Sequence, residues 1–106
     1  MKYRVIMTPK AFAAFEAYVD YIAVDQQAPL NAARWLEKAW SMVQTLKDFP
    51  RRCAYAPEND SSSYTIRALR VDNCLFLYRV IEEEKTVRIM GFRHGSQLPL
   101  DMAGSD

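Results

Sequence analysis

Apolar residues recur at every third or fourth position through two long segments in the first half of the chain. In the first segment the recurring residues are Phe12, Phe15, Val19 and Ile22, and in the second they are Ala32, Leu36, Ala39, Val43 and Leu46. This spacing places apolar side chains on one face of an α-helix. Thr8 and Pro9 form a typical helix start, Pro29 begins the second helix, and Pro50 ends it. The pattern predicts a hairpin of two amphipathic helices.

Four shorter runs are rich in β-branched and aromatic residues, which is typical of β-strands. They occupy residues 2–7, 64–71, 74–81 and 86–94. The last three are separated by connections short enough for hairpin turns, so we expect consecutive antiparallel strands there. The predicted order is strand, helix, helix, strand, strand, strand. It indicates a two-layer α+β fold in which the helix hairpin packs on one face of a small sheet.

The chain has 106 residues, half of them apolar, and this length suits one domain with one core. We assign residues 1–98 to that domain. Beyond Pro99 the regular pattern ends, and we expect residues 99–106 to form a flexible tail. The 14 basic residues nearly balance the 13 acidic ones, so no charged arm points to a polyanionic partner.

The cysteine and histidine content argues against a metal site. Cys53 and Cys74 have no CxxC spacing, and with a single histidine they match none of the usual zinc ligand patterns. We therefore expect no metal and no cofactor. The first residues lack the apolar core of a signal peptide, and no window holds about eighteen apolar residues without a charge. We expect a cytoplasmic protein that does not enter a membrane.

The strand predicted at residues 74–81 is apolar on both of its faces. One face carries Cys74, Phe76, Tyr78 and Val80, and the other carries Leu75, Leu77, Arg79 and Ile81. A two-layer domain normally exposes one face of its sheet to water, and that face is then polar. Two interpretations remain open: a loop of the chain covers the second face, or a partner does.

Several arginines on the predicted strands are candidates for contact with an anionic partner. Arg67 and Arg79 share strand faces with apolar residues, so their guanidinium groups can meet a phosphate or a carboxylate. Arg93 and His94 are adjacent, so on an unbroken strand they point to opposite faces. With a usual pKa of about 6.5, His94 is a candidate general base. A lone histidine at a strand end is more often structural, and we favour that role.

Four segments of the chain carry a resemblance to a known family. They are TPKAFAAFEAYVDYI, NAARWLEKAWSMVQTLKDFPRRCAYAPE, IRALRVDNCLFLYRV and VRIMGFRHG. Together they resemble the RelE/ParE superfamily of toxins from bacterial toxin-antitoxin modules, also called plasmid stabilisation proteins. The resemblance spans nearly the whole chain. It implies a helix hairpin on an antiparallel sheet, in agreement with the elements predicted from periodicity.

The resemblance implies one of two activities. RelE-type members cleave messenger RNA on the ribosome with basic residues, a role that would fall here to Arg67, Arg93 and His94. ParE-type members act on DNA gyrase without chemistry of their own. Nuclease members tend to have an arginine where this chain has Leu75, and further basic residues where it has residues 95–97. The chain is therefore more similar to ParE-like toxins, which implies no intrinsic catalysis.

The resemblance also implies a cognate antitoxin that wraps the toxin, places apolar anchors in its grooves and pairs acidic residues with its arginines. The candidate contacts are Leu75, Leu77 and Arg79 on the sheet and Tyr18, Tyr21 and Trp35 on the helices. Core packing is the alternative role for each of these aromatic side chains. We expect Arg67 and Arg93 to mark the functional surface.

The expected function is growth inhibition through DNA gyrase, within a toxin-antitoxin hetero-oligomer. Two alternatives stay open. One is a ribosome-dependent endoribonuclease of the RelE type, which acts on messenger RNA. The other is an inert relative that only binds an antitoxin.

Overall fold

Strands and helices follow one another in the predicted order in the computed structural model, which describes residues 2–62 and 64–102. The strands are β1 (Arg4–Met7), β2 (Arg67–Val71), β3 (Cys74–Ile81) and β4 (Thr86–His94), and the helices are α1 (Pro9–Asp20) and α2 (Pro29–Gln44). The strands form a single sheet, and both helices pack on one of its faces. The predicted α+β class is confirmed.

The start of α1 has the predicted cap. The side-chain oxygen of Thr8 accepts a hydrogen bond from the N–H of Ala11 at 3.2 Å, and Pro9 is the first helical residue. α1 continues into a π-helical segment, Tyr21–Asp25, and the chain then turns at Gln27, whose φ is 52°. This turn brings α2 back against α1. Within the described residues, no helix is both long enough and apolar enough to cross a membrane.

The strands lie in the order β1-β4-β3-β2. β2, β3 and β4 are antiparallel neighbours, as predicted, but β1 is parallel to β4, with Arg4 opposite Thr86. The resemblance implied an antiparallel sheet, and that expectation is wrong for β1. Tight turns force β2, β3 and β4 to alternate in direction, whereas the long helical connection after β1 leaves the direction of that strand to packing.

The face of the sheet toward the helices carries a core centred on three phenylalanines. Phe76 is fully buried, and its ring centroid lies 5.3 Å from that of Phe15 and 5.0 Å from that of Phe92. The other buried members are Ala11, Ala39, Val43, Leu46, Leu69, Val71, Cys74, Tyr78, Val87 and Ile89. We call this cluster the helix-side core. It contains one of the two apolar faces of β3, as the alternation in the sequence predicted.

A β-bulge in β4 affects which side chains reach this core. The pairing of β3 with β4 skips Met90, which is an extra residue in β4. Because of this extra residue, Ile89 and Phe92 both face the helices, although an odd spacing normally places two side chains on opposite faces of a strand.

The second face of the sheet is covered by the chain itself. Its buried residues are Ala56, Ile66, Leu75, Leu77, Met90 and Met102, with Tyr64, Ala68 and Leu100 partly buried around them. We call this cluster the loop-side core, because segments before β2 and after β4 cover it. Leu77 is fully buried and Leu75 is 8 % exposed. The structure therefore agrees with the first interpretation of the apolar second face, the covering loop.

Leu100 and Met102 lie in the segment for which we expect a flexible tail. The Cδ1 atom of Leu100 lies 3.1 Å from the position that a β-carbon at Gly91 would take, and Met102 is 3 % exposed. The structure differs from the expectation at these two residues, because their apolar side chains complete the loop-side core. Residues 103–106 lie outside the described residues, so the tail there stays a prediction.

Candidate functional site

Arg93, which we expected on the functional surface, is a buried residue. It is 4 % exposed, and its guanidinium forms an ion pair with Glu58, which is 1 % exposed. Arg93 Nε donates to Glu58 Oε2 at 2.5 Å, and Nη2 donates to Oε1 at 3.2 Å. Because both oxygens of a buried carboxylate hold the guanidinium inside the fold, Arg93 does not mark a surface.

The Glu58–Arg93 pair also ties three backbone segments together. Arg93 Nη1 donates to the carbonyl oxygens of His94 and Gln97 at 3.3 and 3.2 Å, and the N–H of Leu100 donates to Glu58 Oε2 at 3.0 Å. Burial opposes ionisation of Glu58, but the hydrogen bonds from Arg93 and Leu100 outweigh burial and lower the pKa of its carboxyl below the usual value. The ion pair therefore fixes the end of β4 and the segment that follows it.

His94 lies at the exit of β4, with its ring centroid 6.3 Å from that of Tyr18. The N–H of Ser96 donates to His94 Nδ1 at 3.1 Å, so the proton of the neutral ring sits on Nε2. The N–H of Gly95 donates to the carbonyl oxygen of Asn73 at 2.6 Å, which turns the chain out of the sheet. These contacts hold the ring of His94 at the exit of β4, and the structural role that we favoured for His94 stays a prediction.

Arg67 lies at the start of β2, in a cleft with two further arginines. The cleft has a volume of about 370 Å³ and is lined by Arg51, Tyr55, Tyr64, Thr65, Arg67, Arg79 and Val80. Arg67 Nη1 donates to the carbonyl oxygen of Cys53 at 2.6 Å, and its guanidinium carbon lies 4.7 Å from the centroid of the Tyr55 ring. The guanidinium carbon of Arg79 lies 3.6 Å from the centroid of the Tyr64 ring. We call this site the arginine cleft; none of its described lining residues is acidic.

The structure does not bring together the three residues that a nuclease would use. In the register of the sheet, His94 is level with Val71, at the opposite end of β2 from Arg67. This offset corresponds to about 13 Å along the strands and about 10 Å across them. Arg93 is adjacent to His94 in sequence but is paired with Glu58. No single phosphate can contact all three residues.

The predicted partner contacts on the helices are accessible to different degrees. Tyr21 is 46 % exposed, whereas Tyr18 and Trp35 are half-buried against the helix-side core, with ring centroids 5.0 Å apart. Burial and a hydrogen bond with Cys74 raise the pKa of Tyr18 to about 12, so its phenol stays neutral. Packing therefore accounts for most of the contacts of Tyr18 and Trp35.

The predicted partner contacts on the sheet also differ from one another. Leu75 and Leu77 belong to the loop-side core and are covered by the chain. Arg79 lines the arginine cleft beside Arg67. Of this set, Arg79 is the residue placed beside an open cavity.

An apolar groove between α1 and α2 was not predicted. It has a volume of about 570 Å³ and is lined by Phe12, Phe15, Ala33, Leu36, Glu37 and Trp40. Phe12, Leu36 and Trp40 are 46 %, 40 % and 47 % exposed. The helical period placed Phe12 and Leu36 on the apolar faces of their helices. Each apolar face is wider than its contact with the sheet, so the residues at its margin stay exposed. We call this site the helix groove.

Several residues of these sites carry no signal in the periodic pattern of the sequence. Glu58, Tyr55 and Arg51 lie in a connection without regular period, and their partners are distant in the chain. Among residues 2–62 and 64–102, no three histidine, cysteine, aspartate or glutamate side chains come together in a way that could hold a metal ion.

The fold matches that of a toxin-antitoxin protein of known structure. A solved structure described as "Chromosomal ParDE TA system from P. aeruginosa" superposes with a TM-score of 0.65 at 19 % sequence identity, covering 88 % of this chain and 96 % of that chain. No curated protein sequence matches this chain. The family model "ParE toxin of type II toxin-antitoxin system, parDE" matches residues 5–99. The chain therefore belongs to the ParE toxin family, which confirms the resemblance seen in its sequence.

Proposed function

We propose that this chain inhibits bacterial growth by acting on DNA gyrase in the cytoplasm, and that a cognate antitoxin neutralises it. Membership of the ParE toxin family supports a role as the toxin of a type II toxin-antitoxin module. The observation that favours gyrase over messenger RNA as the target is the separation of Arg67 from His94 and Arg93.

RNA cleavage needs its catalytic groups at one place. A general base must reach the ribose 2′-hydroxyl while cations stabilise the charge that develops at the scissile phosphate. Here His94 lies far from Arg67, and the charge of Arg93 is neutralised by Glu58. Inhibition by binding to an enzyme requires no such convergence, so the geometry supports the ParE-like action.

The first test is induced expression of the chain in a bacterial host, with transcripts examined by primer extension and purified gyrase assayed for cleaved DNA. We expect growth arrest, accumulation of gyrase-cleaved DNA and intact transcripts. Transcript cleavage without cleaved DNA would overturn the proposal in favour of a ribonuclease. Continued growth with soluble, folded protein would leave a relative that only binds an antitoxin.

A single substitution at His94 separates the two activities further. His94→Asn places a side-chain oxygen near the position of Nδ1, so it keeps an acceptor for the N–H of Ser96. It removes the group that can act as a base near neutral pH. We expect His94→Asn to arrest growth as the wild type does, whereas a nuclease that uses His94 would lose its effect.

We assign the apolar anchors of the antitoxin to the helix groove. Exposed apolar side chains that line a concave surface are typical of protein interaction sites, and Phe12, Leu36 and Trp40 supply them here. Notably, the three side chains come from both helices, so the groove exists only in the folded hairpin.

The assignment is tested by coexpression with the small reading frame adjacent to the gene for this chain. Leu36→Asp introduces a charge in the groove, and we expect it to keep growth arrest but to prevent rescue. Leu30→Asp is the matched control, because Leu30 lies on the same helix, is 72 % exposed and does not line the groove. Equal rescue of the two variants would show that the antitoxin binds elsewhere.

A further inference from the structure

We propose that Phe49 anchors this chain in an apolar pocket, rimmed by carboxylates, of the folded protein on which the chain acts. The proposal rests on the proposed function in one respect, since gyrase is the target to which we assign that pocket. Phe49 lies in the turn that follows α2, and it lines neither the helix groove nor the arginine cleft.

The backbone of Phe49 has a conformation that a bulky residue rarely adopts. Its φ is 52° and its ψ is 55°, in the left-handed region, where the β-carbon of an L-residue crowds the following carbonyl oxygen. A residue before proline normally takes an extended conformation, so Pro50 adds to the strain. The other residues with a positive φ in the described part of the chain, glycines aside, are Gln27, Asp72 and Lys85, and all three are polar.

The strain at Phe49 is not offset by burial of its ring. Phe49 is 82 % exposed. A single exposed phenylalanine in an ordinary conformation needs no explanation. At this position, however, an asparagine would relieve the strain with little loss of buried apolar surface. Strained residues cluster at functional sites, so the strained and exposed ring points to a contact outside the folded chain.

The turn that carries Phe49 is held on both sides. The hydroxyl of Tyr78, a fully buried residue, donates to the carbonyl oxygen of Pro50 at 2.6 Å. Arg52 Nη1 donates to the carbonyl oxygen of Asp48 at 3.2 Å. The ring therefore projects from a fixed backbone, which reduces the conformational entropy that binding would cost.

A projecting ring on a fixed turn suits a folded partner better than an antitoxin segment. A segment that folds as it binds adapts to the surface of the toxin, so it needs no protruding anchor there. A pocket already formed on a folded protein is instead filled by a protruding side chain, and aromatic anchors in such pockets contribute much of the binding energy. The shape of the turn therefore favours the target over the antitoxin.

The charge around the turn defines the rim of the pocket. Residues 47–52 carry three basic side chains and one acidic one. The partners of the Arg52 guanidinium in the described structure are carbonyl and hydroxyl oxygens, so no described carboxylate neutralises its charge. Arg51 pairs with Glu82 at 3.1 Å, but both side chains are about half exposed, and such a pair is weak. Carboxylates beside the pocket would complement this positive surface.

The test compares purified variants of the full chain in thermal unfolding and in the accumulation of gyrase-cleaved DNA. Phe49→Asn removes the ring and suits the left-handed conformation. We expect its melting temperature to rise by about 4 °C, because the strain is relieved. The concentration needed for half-maximal DNA cleavage should rise by about tenfold or more, because the anchor is lost. A variant that is more stable but less active has not lost activity through misfolding.

Three further variants separate the ring from the backbone. Phe49→Tyr keeps the ring and should act within about threefold of the wild type. Phe49→Ala keeps a β-carbon and loses the ring, so it should lose activity without the gain in stability. Leu98→Asn is the matched control, because Leu98 is 86 % exposed and has no positive φ. We expect it to change activity by no more than about twofold.

Three results would overturn the proposal. The first is equal action of Phe49→Asn and the wild type on gyrase. The second is a melting temperature of Phe49→Asn below that of the wild type, because Phe49 would then serve the fold. The third is loss of rescue by the antitoxin with action on gyrase unchanged, because the antitoxin would then occupy this surface.

Growth and cleaved DNA together show which of the two proposals fails. If the wild type and Phe49→Asn both produce cleaved DNA equally, the proposed function stands and the role of Phe49 is wrong. If the wild type arrests growth without cleaved DNA and Phe49→Asn does not arrest growth, gyrase is the wrong target and Phe49 still contacts the target. A wild type without effect on growth or on gyrase would overturn both.

Discussion

The two faces of the sheet are covered in different ways. On the helix side, Phe15, Phe76 and Phe92 pack ring against ring with centroids 5.0 to 5.6 Å apart. On the loop side, a smaller apolar cluster is closed by the ion pair of Glu58 with Arg93. The contribution of apolar burial to stability is non-directional and does not depend on pH. A buried ion pair, in contrast, stabilises the fold only when both partners are present and charged.

The open surfaces of the two sides differ as well. The helix side buries most of its apolar stripe and leaves the margin of that stripe exposed in the helix groove. The loop side buries Leu75 and Leu77 of β3, and the polar arginine cleft lies at the edge of the sheet beside the end of that strand. The two sites therefore offer a partner opposite chemistries, one apolar and one cationic.

The largest effect that we predict is at the centre of the helix-side core. Phe76 is fully buried between Phe15 and Phe92. Phe76→Ala should lower the free energy of unfolding by about 4 kcal/mol, because it removes buried apolar surface and leaves a cavity. Urea denaturation followed by circular dichroism measures this. A loss below about 1 kcal/mol would mean that the core collapses around the cavity and is not closely packed.

The next largest effect is expected on the loop side. Arg93→Met leaves the buried carboxylate of Glu58 without its cation, and we expect a loss of about 3 kcal/mol. Glu58→Leu combined with Arg93→Met removes both charges and should be more stable than Arg93→Met alone. If the double variant were less stable than Arg93→Met, the damage would come from lost packing of the arginine and not from an unpaired charge.

The elements that could be predicted are those encoded by local patterns. The helical period and the residues Thr8 and Pro9 fixed the first helix, and short polar turns fixed the consecutive antiparallel strands. The direction of β1 and the bulge at Met90 could not be predicted, because both follow from how distant segments pack. Alternation along β3 revealed two apolar faces but not which segment covers the second one.

The site was predicted less completely than the fold. Arg67 and Arg79 were singled out because of their strand positions, and the structure places both in one cleft. Arg93 was assigned to the surface, since its partner Glu58 lies 35 residues away in a connection without period. A pair of opposite charges at that separation is indistinguishable in a sequence from two solvated residues.

The dependence of stability on pH tests the ion pair without removing the arginine. Burial acts against the charged form of Glu58, but hydrogen bonds from Arg93 and Leu100 lower its pKa below that of the unfolded chain. Because the pKa of Glu58 is lower in the folded chain, its ionised form stabilises the fold at pH values above the unfolded-chain pKa of about 4.3. This stabilisation is lost as the pH falls through the pKa of the folded chain.

We therefore expect the stability advantage of wild type over Glu58→Gln to be largest near neutral pH and to shrink below about pH 4.3. Urea titrations of both proteins at each pH measure it. The exposed Glu82, whose pKa is lowered to about 2 mainly by Lys85, is present in both proteins, so its titration cancels in the difference. An advantage that stays constant down to low pH would show that Glu58 contributes through packing alone.

The smallest effect is expected for an ion pair of good geometry that is exposed to solvent, Lys38 with Asp72. Lys38 Nζ is 2.7 Å from Asp72 Oδ1, close to the distance in the Glu58–Arg93 pair, but the side chains are 56 % and 49 % exposed. Lys38→Ala should cost no more than about 0.5 kcal/mol in urea denaturation, because the pair gives up little hydration and is screened. Adding about 1 M salt should remove even this difference. A loss of about 2 kcal/mol or more would imply that distance, rather than burial, decides the contribution of an ion pair in this fold, and the contrast between the two faces of the sheet would then need another cause.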